Sequence, residues 1–158
     1  MKDAKLLLDN GQYDGGHYLA GYAVEGALKA VIAVRARQHE FPDLNLAKKV
    51  YTQNLKELLD ASGLKGAVDQ EFAKDPDLRD NWNIVKDWSE TSRYEAGRQK
   101  GEADALFMAI TDPAHGILSS ISRLAPCERR RHTIGLSYGR AGAGGNRCPN
   151  SLGEHIGS

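Results

Sequence analysis

Apolar positions recur at three- and four-residue steps along the first 122 residues, punctuated by turn signals. Ala4, Leu7 and Leu8 form a short stripe that Asn10-Gly11 stops. A long helix is predicted from about Tyr13 to Gln38, with Leu19, Ala23, Gly26, Ala30 and Val34 along one face. Glu25 and Lys29 stand i, i+4 in the favourable order for a helical ion pair. Gly21 and Gly26 each weaken an isolated helix by roughly 1 kcal/mol relative to Ala, so close approach of a neighbouring helix is expected at both. Phe41-Pro42-Asp43 ends this element. Asn54 and Glu57 resemble a capping box ahead of Leu55, Leu58 and Leu59, with Gly63 as the stop. Val68 and Phe72 make a weak amphipathic turn, and Asp75-Pro76 is a helix start ahead of Leu78, Trp82 and Val85. Ala103, Leu106, Phe107 and Ile110 form the next stripe, and Asp112-Pro113 restarts a helix carrying Ile117, Leu118, Ile121 and Leu124. Period-2 alternation is missing, so the prediction is an all-α, up-and-down bundle of about five helices.

From Pro126 the pattern fails. Composition shifts at the same place. The chain has 158 residues, with 21 basic and 21 acidic side chains and zero formal net charge. Residues 1–122 hold 15 basic and 19 acidic side chains, a balance of −4; residues 123–158 hold 6 and 2, a balance of +4. Seven of the 17 glycines and both cysteines also fall in that last segment. The domain reading is a bundle over 1–124 and a basic, Gly-rich tail over 125–158 that is disordered or non-native. Zero net charge argues against a polycation gripping nucleic acid by charge alone. Apolar runs such as Ala30 to Val34 fall far short of the roughly 20 residues of a membrane span. Leu6-Leu7-Leu8 lacks the length and cleavage site of a leader, so a cytoplasmic location without membrane attachment is expected.

The segment Tyr18-Leu19-Ala20-Gly21-Tyr22-Ala23-Val24-Glu25-Gly26-Ala27-Leu28-Lys29-Ala30 closely resembles the signature helix of prokaryotic HEPN domains. Tyr51-Thr52-Gln53-Asn54-Leu55, Leu58-Leu59 and Gly63-Leu64 resemble the family's next stretch. Trp82, Trp88 and Ser92-Arg93-Tyr94-Glu95 resemble its third block. Together these cover roughly residues 4–122 in the family's order. The resemblance implies an all-α bundle that commonly dimerises, often works beside a minimal nucleotidyltransferase, and serves toxin–antitoxin, defence or RNA-processing systems. Catalytic members are metal-independent RNases carrying Arg, four to six residues, then His. No Arg stands at that spacing before His17, His39, His115, His132 or His155. Gln53-Asn54 replaces a common His-Asp pair, and Gly26 replaces a common Cys.

Several residue sets are chemical candidates. Arg35 and His39, at i, i+4, can pair a phosphate-binding guanidinium with a proton-transferring imidazole; stabilisation of a helix C-terminus is the plainer role. Arg93, Tyr94 and Glu95 suit nucleotide or RNA contact, with a guanidinium for phosphate and a phenol ring for stacking. The plainer arrangement pairs Arg93 with Glu25 or Glu95 and packs Tyr94 on Trp88. Tyr18, Tyr22, Trp82 and Trp88 are expected in the core or a dimer interface, and Glu25–Lys29 as a helix-stabilising pair. Cys127, His132, Cys148 and His155 are zinc-capable residues, but their spacing matches no ordinary zinc motif, and no metal or cofactor is expected. The leading functional expectation is a binding and interaction module: dimeric, allied with a nucleotidyltransferase or toxin–antitoxin partner, and contacting nucleotide or RNA without cleavage. One competitor is a divergent metal-independent RNase using His17 or His39 with Arg35 or Arg93. Another is a purely structural dimerisation domain.

Overall fold

In the computed structural model, residues 1–38 and 51–125 are described, and they form an all-α bundle with no strand among them. Seven α-helices and one 3-10 turn occur in this order: α1 (Lys2–Asp9), α2 (Tyr13–Gln38), α3 (Leu55–Ala61), α4 (Lys65–Lys74), α5 (Pro76–Val85), the turn Glu90–Tyr94, α6 (Lys100–Thr111) and α7 (Ile117–Leu124). The count among the described residues exceeds the predicted five because the short stripe at Ala4–Leu8 and the weak turn at Val68–Phe72 are helices in their own right. The described residues all belong to one compact unit.

The axis of the bundle is α2, which touches α1, α3, the 3-10 turn, α6 and α7. Its buried stripe is Ala20, Val24, Leu28, Val31 and Ile32. That is one position away from the stripe expected from spacing. Nearly every residue of this helix is apolar or small, so two overlapping stripes satisfy the helical period. Packing selects the one with the larger side chains, since burying Val, Leu and Ile removes more apolar area from water. The small face, Tyr22, Gly26, Ala30 and Ala33, is left exposed. Gly26 has no neighbour within 4 Å of a Cβ, contrary to expectation, whereas a Cβ on Gly21 would land on the Trp88 indole. Leu55, Leu58, Leu78, Val85, Leu106 and Ile110 close the core around this axis.

Local chemistry sets the ends of the shorter helices. Asn54 caps α3, its side chain accepting from Lys56 N at 3.0 Å and Glu57 N at 3.4 Å. The reciprocal bond expected from Glu57 is taken instead by Thr52 Oγ1, which accepts from Asn54 N at 3.2 Å. Asp75 and Pro76 start α5 as predicted, with Leu78 N donating to Asp75 Oδ1 at 3.0 Å. The restart predicted at Asp112-Pro113 slips to Ile117. Asp112 Oδ1 accepts from Ala114 N at 2.8 Å and His115 N at 2.6 Å, making a turn before the helix begins.

Candidate functional site

A cleft of about 210 Å³ opens where the start of α2, the segment after α5 and the start of α6 meet. His17 enters it from α2, Trp88 and Ser92 from the connection after α5, and Glu95, Arg98 and Glu102 from the approach to α6. One carboxylate builds much of this geometry. Asp14, in the first turn of α2, accepts from Arg98 N at 2.9 Å and Gly97 N at 3.2 Å. Those two backbone bonds, that of Arg98 first, hold its carboxyl below the ordinary range. Gly97 takes φ +91°, a left-handed conformation that side-chain-bearing residues rarely adopt. The chain thereby folds back over α2 and carries Arg98 into the cleft.

Arg98 is held on both sides. Its Nη2 pairs with Glu95 Oε2 and its Nη1 with Glu102 Oε1, while Nε is buried without a partner. His17 is only 7% exposed, and its Nδ1 also lacks a partner. Burial, and then the charge of Arg98, push the imidazole down to about 4, so it is neutral at pH 7. Asp87 at the rim is matched by Lys56 at 2.6 Å. A single guanidinium cannot balance both glutamates, so the cleft retains negative character and an array of hydrogen-bond acceptors.

Of the contact residues expected from sequence, Glu95 lines this cleft and Arg93 and Tyr94 do not. Arg93 and Tyr94 lie between Ser92 and Glu95, which line it. Tyr94 is 82% exposed, and the Arg93 guanidinium carbon is 5.8 Å from its ring centroid. Neither of the plainer pairings occurs: Glu95 holds Arg98, and Glu25 holds Lys29 at 2.7 Å. Trp88 packs against Tyr18 in a tilted arrangement at 6.1 Å and covers Gly21, not Tyr94.

Of the residues expected in core or interface, Trp88 is buried, Tyr18 and Trp82 are half-buried, and Tyr22 is 52% exposed, stacked on Tyr18 at 5.9 Å. Trp82 packs on Phe72 at 6.4 Å. Glu25 is buried with Oε2 unpartnered, so the pair with Lys29 is more than a surface helix pair. Arg35 is half-buried in α2 beside Gly63. His39, Cys127, His132, Cys148 and His155 lie outside the described residues.

Two groupings escape sequence spacing. His17 and Arg98 belong to segments distant in the chain, and the Asp14 contacts fix Arg98 beside α2. Asp75, Asp77 and His115 bring three potential ligand atoms within 4.8 Å of one another. Asp75-Pro-Asp77 and Asp112-Pro-Ala-His115 were the available signals, but both read first as helix starts. No helix among the described residues is long and apolar enough to cross a membrane. Comparison of the chain with family models, curated proteins and solved structures finds no match.

Proposed function

We propose that this chain is a HEPN-type binding module that contacts nucleotide or single-stranded RNA through Arg93 and Tyr94 without cleaving it. The observation that carries this reading is the Arg93–Tyr94 pair itself, an exposed phenol ring under a guanidinium, in a turn whose Ser92 and Glu95 line a cleft. A solvent-facing ring offers a base its π-face, and Arg93 supplies charge for the adjoining phosphate. Arg98 is unsuited to that second role because Glu95 and Glu102 already hold it.

The same arrangement supports binding over phosphodiester cleavage. His17 is neutral at pH 7 and can accept a proton, but the residue beside it that would stabilise a developing phosphate charge is Arg98, with a carboxylate on each side. The reading includes a second copy of the chain and a nucleotidyltransferase-type or toxin–antitoxin partner. The exposed small-residue face of α2 supports the second copy, because a two-fold axis lets such a stripe meet itself.

Titration of a fluorescent single-stranded RNA, with EDTA present, tests the proposal. Saturable binding of intact RNA is expected, weakened roughly ten-fold or more by Tyr94→Ala, as removal of one stacking platform requires. Binding that ignores both Tyr94→Ala and Arg93→Ala would sink it. Cleavage abolished by His17→Ala would favour the RNase alternative, and a stable dimer that binds no nucleotide would leave a structural domain.

A further inference from the structure

The cleft beside Arg93 and Tyr94 is itself a built site. Its volume, about 210 Å³, is below the ~300–1,000 Å³ of sites for drug-sized ligands. It suits one ring system, with sugar and phosphate left outside. Trp88, Leu106 and Ile84 supply apolar wall, and His17 lines the cleft with its imidazole over nine-tenths buried and its Nδ1 unpartnered. Around this wall stand acceptors. Glu95 and Glu102 each give one oxygen to Arg98 and retain a second. Neutral His17 adds no positive charge, and Asp87 is offset by Lys56. The exposed carboxylates of the lining therefore disfavour phosphate and favour a ligand edge that donates hydrogen bonds.

Resting on the nucleotide reading above, we infer that this cleft is a base-selective pocket for guanine, whose adjacent N1–H and N2–H₂ donors face the Glu95 and Glu102 carboxylates. Guanine alone among the four RNA bases places two donors side by side on its pairing edge, where the free oxygens of the two glutamates can accept one each. Uracil offers a single N–H between two carbonyls. Adenine and cytosine set an amino group beside an acceptor nitrogen, which would meet a carboxylate lone pair. The ring enters between apolar walls while Arg93 and Tyr94 meet the rest of the nucleotide or the next base.

Calorimetric titration of the full chain with GMP, IMP, AMP, CMP and UMP provides the test. GMP should bind about ten-fold more tightly than AMP, as paired charge-assisted hydrogen bonds imply. IMP, which lacks the exocyclic amino group, should bind several-fold more weakly than GMP. Glu95→Gln and Glu102→Gln should lower GMP affinity by a clearly larger factor than AMP affinity. The GMP–IMP comparison uses only the unaltered protein, so it stands even where a variant folds poorly. Equal affinity for all five, reduced by Tyr94→Ala, would overturn guanine selection while preserving the nucleotide reading. A GMP preference untouched by both Gln variants would also overturn the assignment. Failure of every mononucleotide and RNA to bind would overturn both readings together.

Discussion

His17 and His115 begin from the same ordinary pKa and are driven in opposite directions by the fold. His17 sits in an apolar-walled cleft beside Arg98, and burial holds its proton off. His115 lies in the turn between α6 and α7, where the Asp75 carboxylate at 2.8 Å raises its pKa, with Asp77 and Asp112 adding to it. The first is a buried base with an unsatisfied nitrogen. The second is a partly exposed imidazole clasped by acids, its backbone carbonyl accepting from Asn81 Nδ2 at 2.9 Å. Residue type alone therefore says little about chemistry here. A histidine becomes available to a ligand only where its partners leave it incomplete.

The largest expected effect that separates the two regions is acid sensitivity. The unfolded chain titrates His17 near 6.5, whereas the folded chain does so at about 4. As pH falls through that interval the unfolded state takes up the proton first, so folding stability drops, by up to ~3 kcal/mol below pH 4. Urea melts at pH 7 and pH 4.5 should show most of this loss. His17→Gln, which cannot titrate there, should flatten the slope over this interval. A slope unchanged by that substitution would mean that the buried imidazole is not its source.

Next in size is the turn that builds the cleft. Gly97→Ala places a Cβ where φ is +91°, at a cost of about 1–3 kcal/mol in stability or in rearranged backbone. Asp14→Ala removes the acceptor for Gly97 N and Arg98 N without imposing that strain. Both should release Arg98 from the cleft and weaken ligand binding, while helical content by circular dichroism stays near that of the parent. His115→Gln should spare binding entirely. If it harmed binding as much as Asp14→Ala, the two regions would not be separate.

Much of the fold was legible along the chain, and little of the cleft. Asp75-Pro76 and Asn54 announce helix starts because caps and first-turn prolines are local chemistry. The buried face of α2 was not legible, since its apolar residues run all round the helix and only packing partners choose between stripes. Ser92-Arg93-Tyr94-Glu95 marked the right part of the chain, but not which member faces the cleft. Arg98 carried no signal, because its placement depends on a left-handed glycine and a carboxylate in α2. Similarly, Asp75 reads as a cap and gives no hint that the same carboxylate reaches His115 across the fold.

The smallest expected effect is the mirror image of the first. Contact with Asp75 raises the pKa of His115, so the folded state keeps a proton that the unfolded state has lost. The clasp contributes fully below about pH 6.5 and fades as pH rises through the folded value. Asp75, held below its ordinary value mainly by the His115 hydrogen bond, surrenders its own contribution only under acid stronger than its usual pKa near 3.8. The two histidines thus give stability slopes of opposite sign on either side of about pH 6.5, and stability should be greatest near there. Asp75→Asn should remove the decline on the alkaline side and leave the acid-side loss from His17 intact. Because this carboxylate also caps α5, the variant should lower the whole curve, so the diagnostic quantity is its slope between pH 6.5 and 8. An alkaline slope that survived in Asp75→Asn would show that the clasp is not what distinguishes His115 from His17.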